Sequence, residues 1–188
     1  VSVHTGTIPS KTIRETVLQL SGFREKNFYD RKQNSVNESQ LFQRLQTTQN
    51  REKELLEKQF KRNNVQSIIG TASFINKKTI QIVEHDNKVR IVTAERIIIA
   101  VGTRCYRPDN IEFDGKLICD SDQLLTVKNI PNSIVIVGAG VIGMEYASIL
   151  NILGKSVTII DPRDNYLEFI DRGIINEFTH ILKSRNVI

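Results

Sequence analysis

The sequence predicts a mixed α/β fold, and three observations carry that prediction. An apolar run at 134–137 leads into a turn spaced by Gly138, Gly140 and Gly143, then into a helical stretch and a second β-prone run. Residues 97–100 form a continuous apolar, mostly β-branched run, the mark of a strand buried on both faces of a parallel sheet. Between 65 and 93, short β-prone runs alternate with turn residues, which is meander spacing.

The elements follow in order. Gly6-Thr7-Ile8-Pro9-Ser10 has loop composition, and Pro9 suits a first helical turn, where its missing N–H costs nothing. Residues 10–21 then carry Ile13, Val17 and Leu18 at near-helical spacing, with Leu20 less regular, and Gly22 closes them. The polar stretch 23–36 predicts a connection, with Asn37 or Ser39 as the cap of the next helix. From there to about Asn63 the chain has no Gly or Pro and carries a thin apolar stripe of Leu41, Leu45, Leu55, Leu56 and Phe60. Its a/d repeat is not sustained over several heptads, so a helix lying on a domain surface fits better than a coiled coil.

Residues 65–69, 72–75, 79–83 and 89–93 are the expected meander strands, parted by Gly70, Asn76-Lys77-Lys78 and Asp86-Asn87. The buried strand at 96–100 ends at Gly102-Thr103. Asp120-Ser121 caps a short helix through Leu125, and Pro131-Asn132 marks a boundary.

Composition narrows the function classes. The net charge of +5 invites a nucleic-acid partner, but cations alternate with anions, as in Arg51-Glu52-Lys53-Glu54. That is a solvated helix face rather than a phosphate-tracking stripe, so no nucleic acid is expected. No apolar run is long enough to span a bilayer and no signal-peptide pattern opens the chain, so a cytoplasmic setting without a membrane partner is expected. Cys105 and Cys119, the two cysteines, have no metal-ligand spacing, and neither a disulfide framework nor a metal is expected. The only Met is Met144, which fits an internal piece better than a complete gene product.

The glycine turn carries the chemistry. Gly138 permits the tight turn, Gly140 lets backbone approach a pyrophosphate, and Gly143 allows close helix–strand packing. Val141 and Ile142 open a helix at 141–153 that ends at Gly154, and its N-terminus favours an anion. The second strand, 157–160, ends at Asp161, where a carboxylate can accept hydrogen bonds from an adenosine ribose. This is the fingerprint of a Rossmann dinucleotide site. Asp161 alone signals NAD; Arg163, two residues on, signals a 2′-phosphate and so NADP. The sequence offers both.

Three motifs in order then carry a family resemblance: Gly6-Thr7-Ile8-Pro9-Ser10-Lys11, the run 97–100 entering Val101-Gly102-Thr103, and Gly138 through Ser148. Together they resemble the two-dinucleotide-binding-domain flavoprotein reductases, the group of dihydrolipoamide dehydrogenase and glutathione reductase. Within that group the first motif resembles the soluble, Si-specific pyridine nucleotide transhydrogenases. The resemblance implies FAD/NAD(P)-binding Rossmann-like domains in a three-layer ββα arrangement with a small β-meander. Residues 1–131 would be part of the FAD domain, without its first Rossmann unit, and 132–188 the opening of the NAD(P) domain. The paired redox cysteines of the disulfide reductases fall at Ser2 and Thr7 here, which have no thiol.

The implied activity is hydride transfer from NADPH through FAD to NAD+, in a homo-oligomer when full length, with the fragment alone inactive. A dihydrolipoamide-dehydrogenase-like reductase without its disulfide is the alternative enzyme, and a nucleotide-binding module without turnover the alternative outside enzymes. By the same resemblance Lys11 and Glu145 form an ion pair beside the flavin ring. Gly6, Thr7, Gly102 and Thr103 are FAD contacts, and Gly70, Thr71 and Ala72 lie near adenine.

Overall fold

The computed structural model describes residues 2–20, 38–127 and 129–188. The expected connection at 23–36, Gly22 and the Asn37 cap lie outside the described residues. The chain divides into two compact units, Val1–Asn50 with Arg104–Ile188, and Arg51–Thr103. The expected mixed α/β class is the observed one.

In the first unit, helix α1 (Thr7–Leu20) begins ahead of the expected Ser10. The first N–H groups of a helix have no intrahelical partner, so Pro9 sits inside the first turn without loss. Helix α2 (Glu38–Arg62) starts in this unit and buries Leu41 and Leu45, whereas Leu55, Leu56 and Phe60 further along are exposed. Ser39 lies within α2 rather than before it. Helix α3 (Ser121–Leu124) is short and held by a capping box, in which Asp120 accepts from the Asp122 and Gln123 N–H groups and Gln123 returns a bond to the Asp120 N–H.

Strand β4 (Ser133–Val137) pairs in parallel with β5 (Ser156–Ile160), in register from Ser133↔Ser156 to Val137↔Ile160. Parallel neighbours need a crossover, supplied by α4 (Val141–Ile152). Its Met144, Ala147, Ile149 and Leu150 are buried with Val157 and with Val17 of α1 in one apolar core. Gly154 ends α4 at φ +82°, with its N–H on Asn151 O and the Lys155 N–H on Leu150 O, the paired bonds of a Schellman motif.

Helix α5 (Arg172–Ser184) has no counterpart among the expected elements. Its signal is present: Asp171 caps the Gly173 N–H, and Ile175, Phe178 and Leu182 recur on one face. The chain then turns at Asn186 and Ile188 bonds to Val157 and Ile159 on the free side of β5.

The second unit is an antiparallel meander of β1 (Gly70–Asn76), β2 (Thr79–Glu84) and β3 (Val89–Thr93), in the order β1-β2-β3. Two expected strands are corrected here. Residues 65–69 form no strand, and neither do 96–100, where Ile98 is 89% and Ile99 68% exposed. A strand exists through its ladder, and no strand among the described residues pairs with either run. The β-branched texture at 97–100 is real; the partner that would bury it is not among the described residues.

A polar clasp ties α2 to the approach to β4. Glu38 accepts from Lys155 Nζ at 2.8 Å and from the Ile130 N–H at 3.1 Å, while Lys155 also donates to Ile130 O at 2.9 Å. Burial pushes the Glu38 carboxyl up, but the bonds from Lys155 and the Ile130 N–H outweigh it, and its pKa lies below the ordinary value. A depressed carboxyl stabilises the fold above its unfolded pKa of about 4.3 and loses that contribution as pH falls through the folded value. Glu38→Gln is therefore expected to lose about 1 kcal/mol at pH 7. In thermal melts from pH 3 to 7, the gap to wild type should close at the acid end; a gap independent of pH would contradict this role.

Candidate functional site

The turn after β4 has three glycines that are glycine for three different reasons. Gly138 stands at φ +108°, a left-handed backbone that side chains resist, and its N–H bonds to Ile160 O at 2.8 Å. At Gly143 a Cβ would lie 2.1 Å from Gly138 O and 3.4 Å from Ile136 Cγ2, so the crossing of α4 over β4 leaves room for hydrogen only. Gly140 differs from both. It has extended φ −80° and ψ −179°, and a Cβ there would meet nothing within 4 Å. Neither backbone nor packing within the described residues requires glycine at 140.

Gly140 is also the N-cap of α4 and offers no side-chain cap. The first N–H groups of that helix are left for an outside acceptor, at the positive end of its dipole. Val141 and Ile142 beside them are exposed. No acidic residue lies in the first turn of α4.

At the end of β5, Asp161 Oδ2 accepts the Ala139 N–H at 2.6 Å, tying the second strand to the middle of the glycine turn. Ala139 was not among the expected site residues; its place between Gly138 and Gly140 is its only signal. Arg163 closes on the same carboxylate, with Nε at 2.8 Å from Oδ1, Nη2 at 2.7 Å from Oδ2, and its own N–H at 2.9 Å from Oδ1. The Arg163 guanidinium, and after it the Ala139 N–H, hold the Asp161 carboxyl far below the usual carboxylate range. The pair therefore stays ionised through neutral and mildly acidic pH. The sequence offered Asp161 and Arg163 as alternatives; the structure joins them in one fork.

Gly138, Gly140, Val141, Ile142, Gly143, Asp161 and Arg163 are thus gathered at the C-terminal ends of β4 and β5, where open α/β sheets bind ligands. The other expected site residues lie elsewhere. Gly6 precedes α1, Thr7 is its exposed first residue, and Lys11 is exposed on it. Glu145 is half-buried on α4. The expected ion pair is not formed here: no salt bridge between Lys11 and Glu145 exists among the described residues, although α1 and α4 are in contact. With Lys11 in solvent, such a pair has little to gain by closing.

The remaining residues belong to the second unit. Thr71 and Ala72 are exposed on β1. Gly70 has a packing reason of its own, since a Cβ would lie 2.6 Å from Val83 O. Gly102 stands at φ +72°, followed by exposed Thr103. Ser2 and Thr7, where a redox disulfide is excluded by residue type, are both exposed. No helix of the described residues is long and apolar enough to cross a membrane.

Known proteins resemble the chain over most of its length. A family model described as pyridine nucleotide-disulphide oxidoreductase matches residues 1–188. The soluble pyridine nucleotide transhydrogenase of Mycobacterium tuberculosis is 42% identical over 179 residues, covering 93% of this chain and 38% of that protein. That of Photobacterium profundum is 35% identical over 181 residues, covering 95% of this chain and 39% of that protein. Among solved structures, the HOCl-induced flavoprotein disulfide reductase RclA of Escherichia coli matches with a TM-score of 0.76 at 26% identity, covering 99% of this chain and 39% of the other. LpdA of Mycobacterium tuberculosis matches with a TM-score of 0.87 at 21% identity, over 99% of this chain and 41% of the other, a likeness of fold. The chain thus spans about two fifths of the length of the relatives it matches.

Proposed function

The chain belongs to the pyridine nucleotide-disulphide oxidoreductase family, and from that membership we propose that it is part of a flavin-dependent NAD(P)+ transhydrogenase. Residues 1–131 are assigned to the FAD-binding domain and 132–188 to the start of the NAD(P)-binding domain. Gly140 carries the dinucleotide reading. It is the one glycine of the turn that neither a left-handed φ nor a contact explains, and the open space at its Cα is what a pyrophosphate lying on the α4 N-terminus requires. The names of the relatives support transhydrogenation in particular.

The residues fit the implied groups. Gly138, Gly140 and the N–H groups from Val141 onward would hold the pyrophosphate, and Asp161 with Arg163 would face the adenosine ribose. Gly102, with left-handed backbone beside exposed Val101 and Thr103, is open to a ligand and is assigned to FAD. Gly6, Thr7, Gly70, Thr71 and Ala72 are assigned to the same cofactor. FAD, when bound, supplies the hydride carrier between NADPH and NAD+. Lys11, exposed on α1, is assigned to place a cation near the ring, and Glu145 of α4, which makes no ion pair with it here, to hold that cation once the flavin is bound. We place the protein in the cytoplasm as a homo-oligomer.

The likeness to a disulfide reductase favours a second reading, reduction of a disulfide substrate. Ser2 and Thr7 oppose it, because neither can form the thiolate that attacks or leaves in disulfide exchange. Stopped-flow mixing of the full-length protein separates the two. NADPH is expected to bleach the flavin band and NAD+ to restore it, with dihydrolipoamide inert. A flavin that NADPH cannot reduce, or that dihydrolipoamide reduces, would overturn the proposal.

A further inference from the structure

We infer that the Arg163 side chain is a two-position gate that lets one site accept both 2′-hydroxyl and 2′-phosphate dinucleotides. The inference rests on the reading of the Gly138–Gly143 turn as a nicotinamide-dinucleotide site and concerns how that site selects its substrate.

A carboxylate has about four acceptor positions. At Asp161 all four are filled: by the Ala139 N–H, the Arg163 N–H, Arg163 Nε and Arg163 Nη2. With the fork closed, the carboxylate has nothing left to offer a ribose diol. Its charge is neutralised, and the remaining guanidinium nitrogen, Nη1, makes no bond to it. That state suits a 2′-phosphate, which needs a cation and would be repelled by a bare carboxylate at the same place.

With the fork open, two acceptor positions on Asp161 are released for the ribose hydroxyls. The Ala139 and Arg163 backbone N–H groups still hold the carboxylate in place, so the turn keeps its shape. The two side chains have different freedom. Asp161 is 7% exposed and held by backbone, whereas Arg163 is 57% exposed. With the guanidinium more than half exposed, opening the fork costs little net, because water solvates the released cation. The arginine is therefore the moving part and the aspartate the fixed one. A fixed aspartate without the arginine would favour the 2′-hydroxyl form; an arginine without the aspartate would favour the phosphate.

The test is calorimetric titration of NAD+ and NADP+ into the oxidised full-length flavoprotein, in wild type, Arg163→Ala and Asp161→Asn. Arg163→Ala should weaken NADP+ about tenfold while leaving NAD+ unchanged or tighter, the scale of one charge-assisted contact. Asp161→Asn keeps an acceptor for the Ala139 N–H but loses the charge, and should move the NADP+/NAD+ affinity ratio the opposite way. Opposed shifts in the two variants support the gate. Equal changes for both nucleotides, or shifts of the same sign in both variants, overturn it while leaving the dinucleotide site standing. A wild-type protein that binds neither nucleotide overturns the site and the gate together.

Discussion

Gly143→Ala is expected to lower the thermal midpoint of the full-length protein by roughly 3 °C and to abolish nucleotide binding with it. The added Cβ would stand 2.1 Å from Gly138 O, closer than real Cβ contacts come, and the obstacle is backbone rather than a side-chain tip. No rotamer change relieves that overlap. Either α4 lifts from β4, or the Gly138 peptide turns away and breaks the bond from its N–H to Ile160. Overpacking of this kind costs about 3 kcal/mol. Thermal melts followed by circular dichroism check it; a variant melting with wild type would mean the helix is not seated on the strand as described.

Gly140→Val is expected to behave in the opposite manner. Its backbone is already extended and the space around its Cα is open, so valine fits without strain. The expected loss of stability is about 1 kcal/mol, from a poorer N-cap. Nucleotide affinity should fall roughly 100-fold, about 2.7 kcal/mol, because the isopropyl group fills the space assigned to the pyrophosphate. Titration with NADH alongside a thermal melt measures both quantities. Gly143 is thus required by the fold, and Gly140 is assigned to a ligand.

Much of this was legible in the sequence because the β4–α4–β5 unit is local. Its strand, turn and crossover lie within thirty or so residues and follow rules of period and turn chemistry that need no distant partner. The same holds for the Asp120 capping box and the strands from Gly70 to Thr93, whose registers are set by short turns. What was not legible depends on partners. Residues 97–100 have the composition of a buried strand, yet composition cannot supply the neighbour whose ladder makes one. Helix α5 was readable from Asp171, Ile175, Phe178 and Leu182, but its apolar face is short and begins after an irregular stretch.

The candidate site shows the same limit at finer scale. Asp161 and Arg163 are each recognisable in the sequence as candidates to face a nucleotide. That they saturate one another is a consequence of the tight turn after β5, which brings Arg163 back over Asp161. Lys11 and Glu145 are the reverse case: they match a family pattern, and the structure leaves them apart.

The turn at Gly138, Gly140 and Gly143 is proposed to hold the nicotinamide dinucleotide and not the flavin. Reduction of thio-NAD+ by NADPH, measured on full-length wild type and Gly140→Val with the flavin absorbance recorded in the same samples, tests it most directly. Wild type is expected to turn over, and the variant to lose turnover while keeping its flavin band. A variant that loses its flavin, or one that turns over as fast as wild type, would contradict the account.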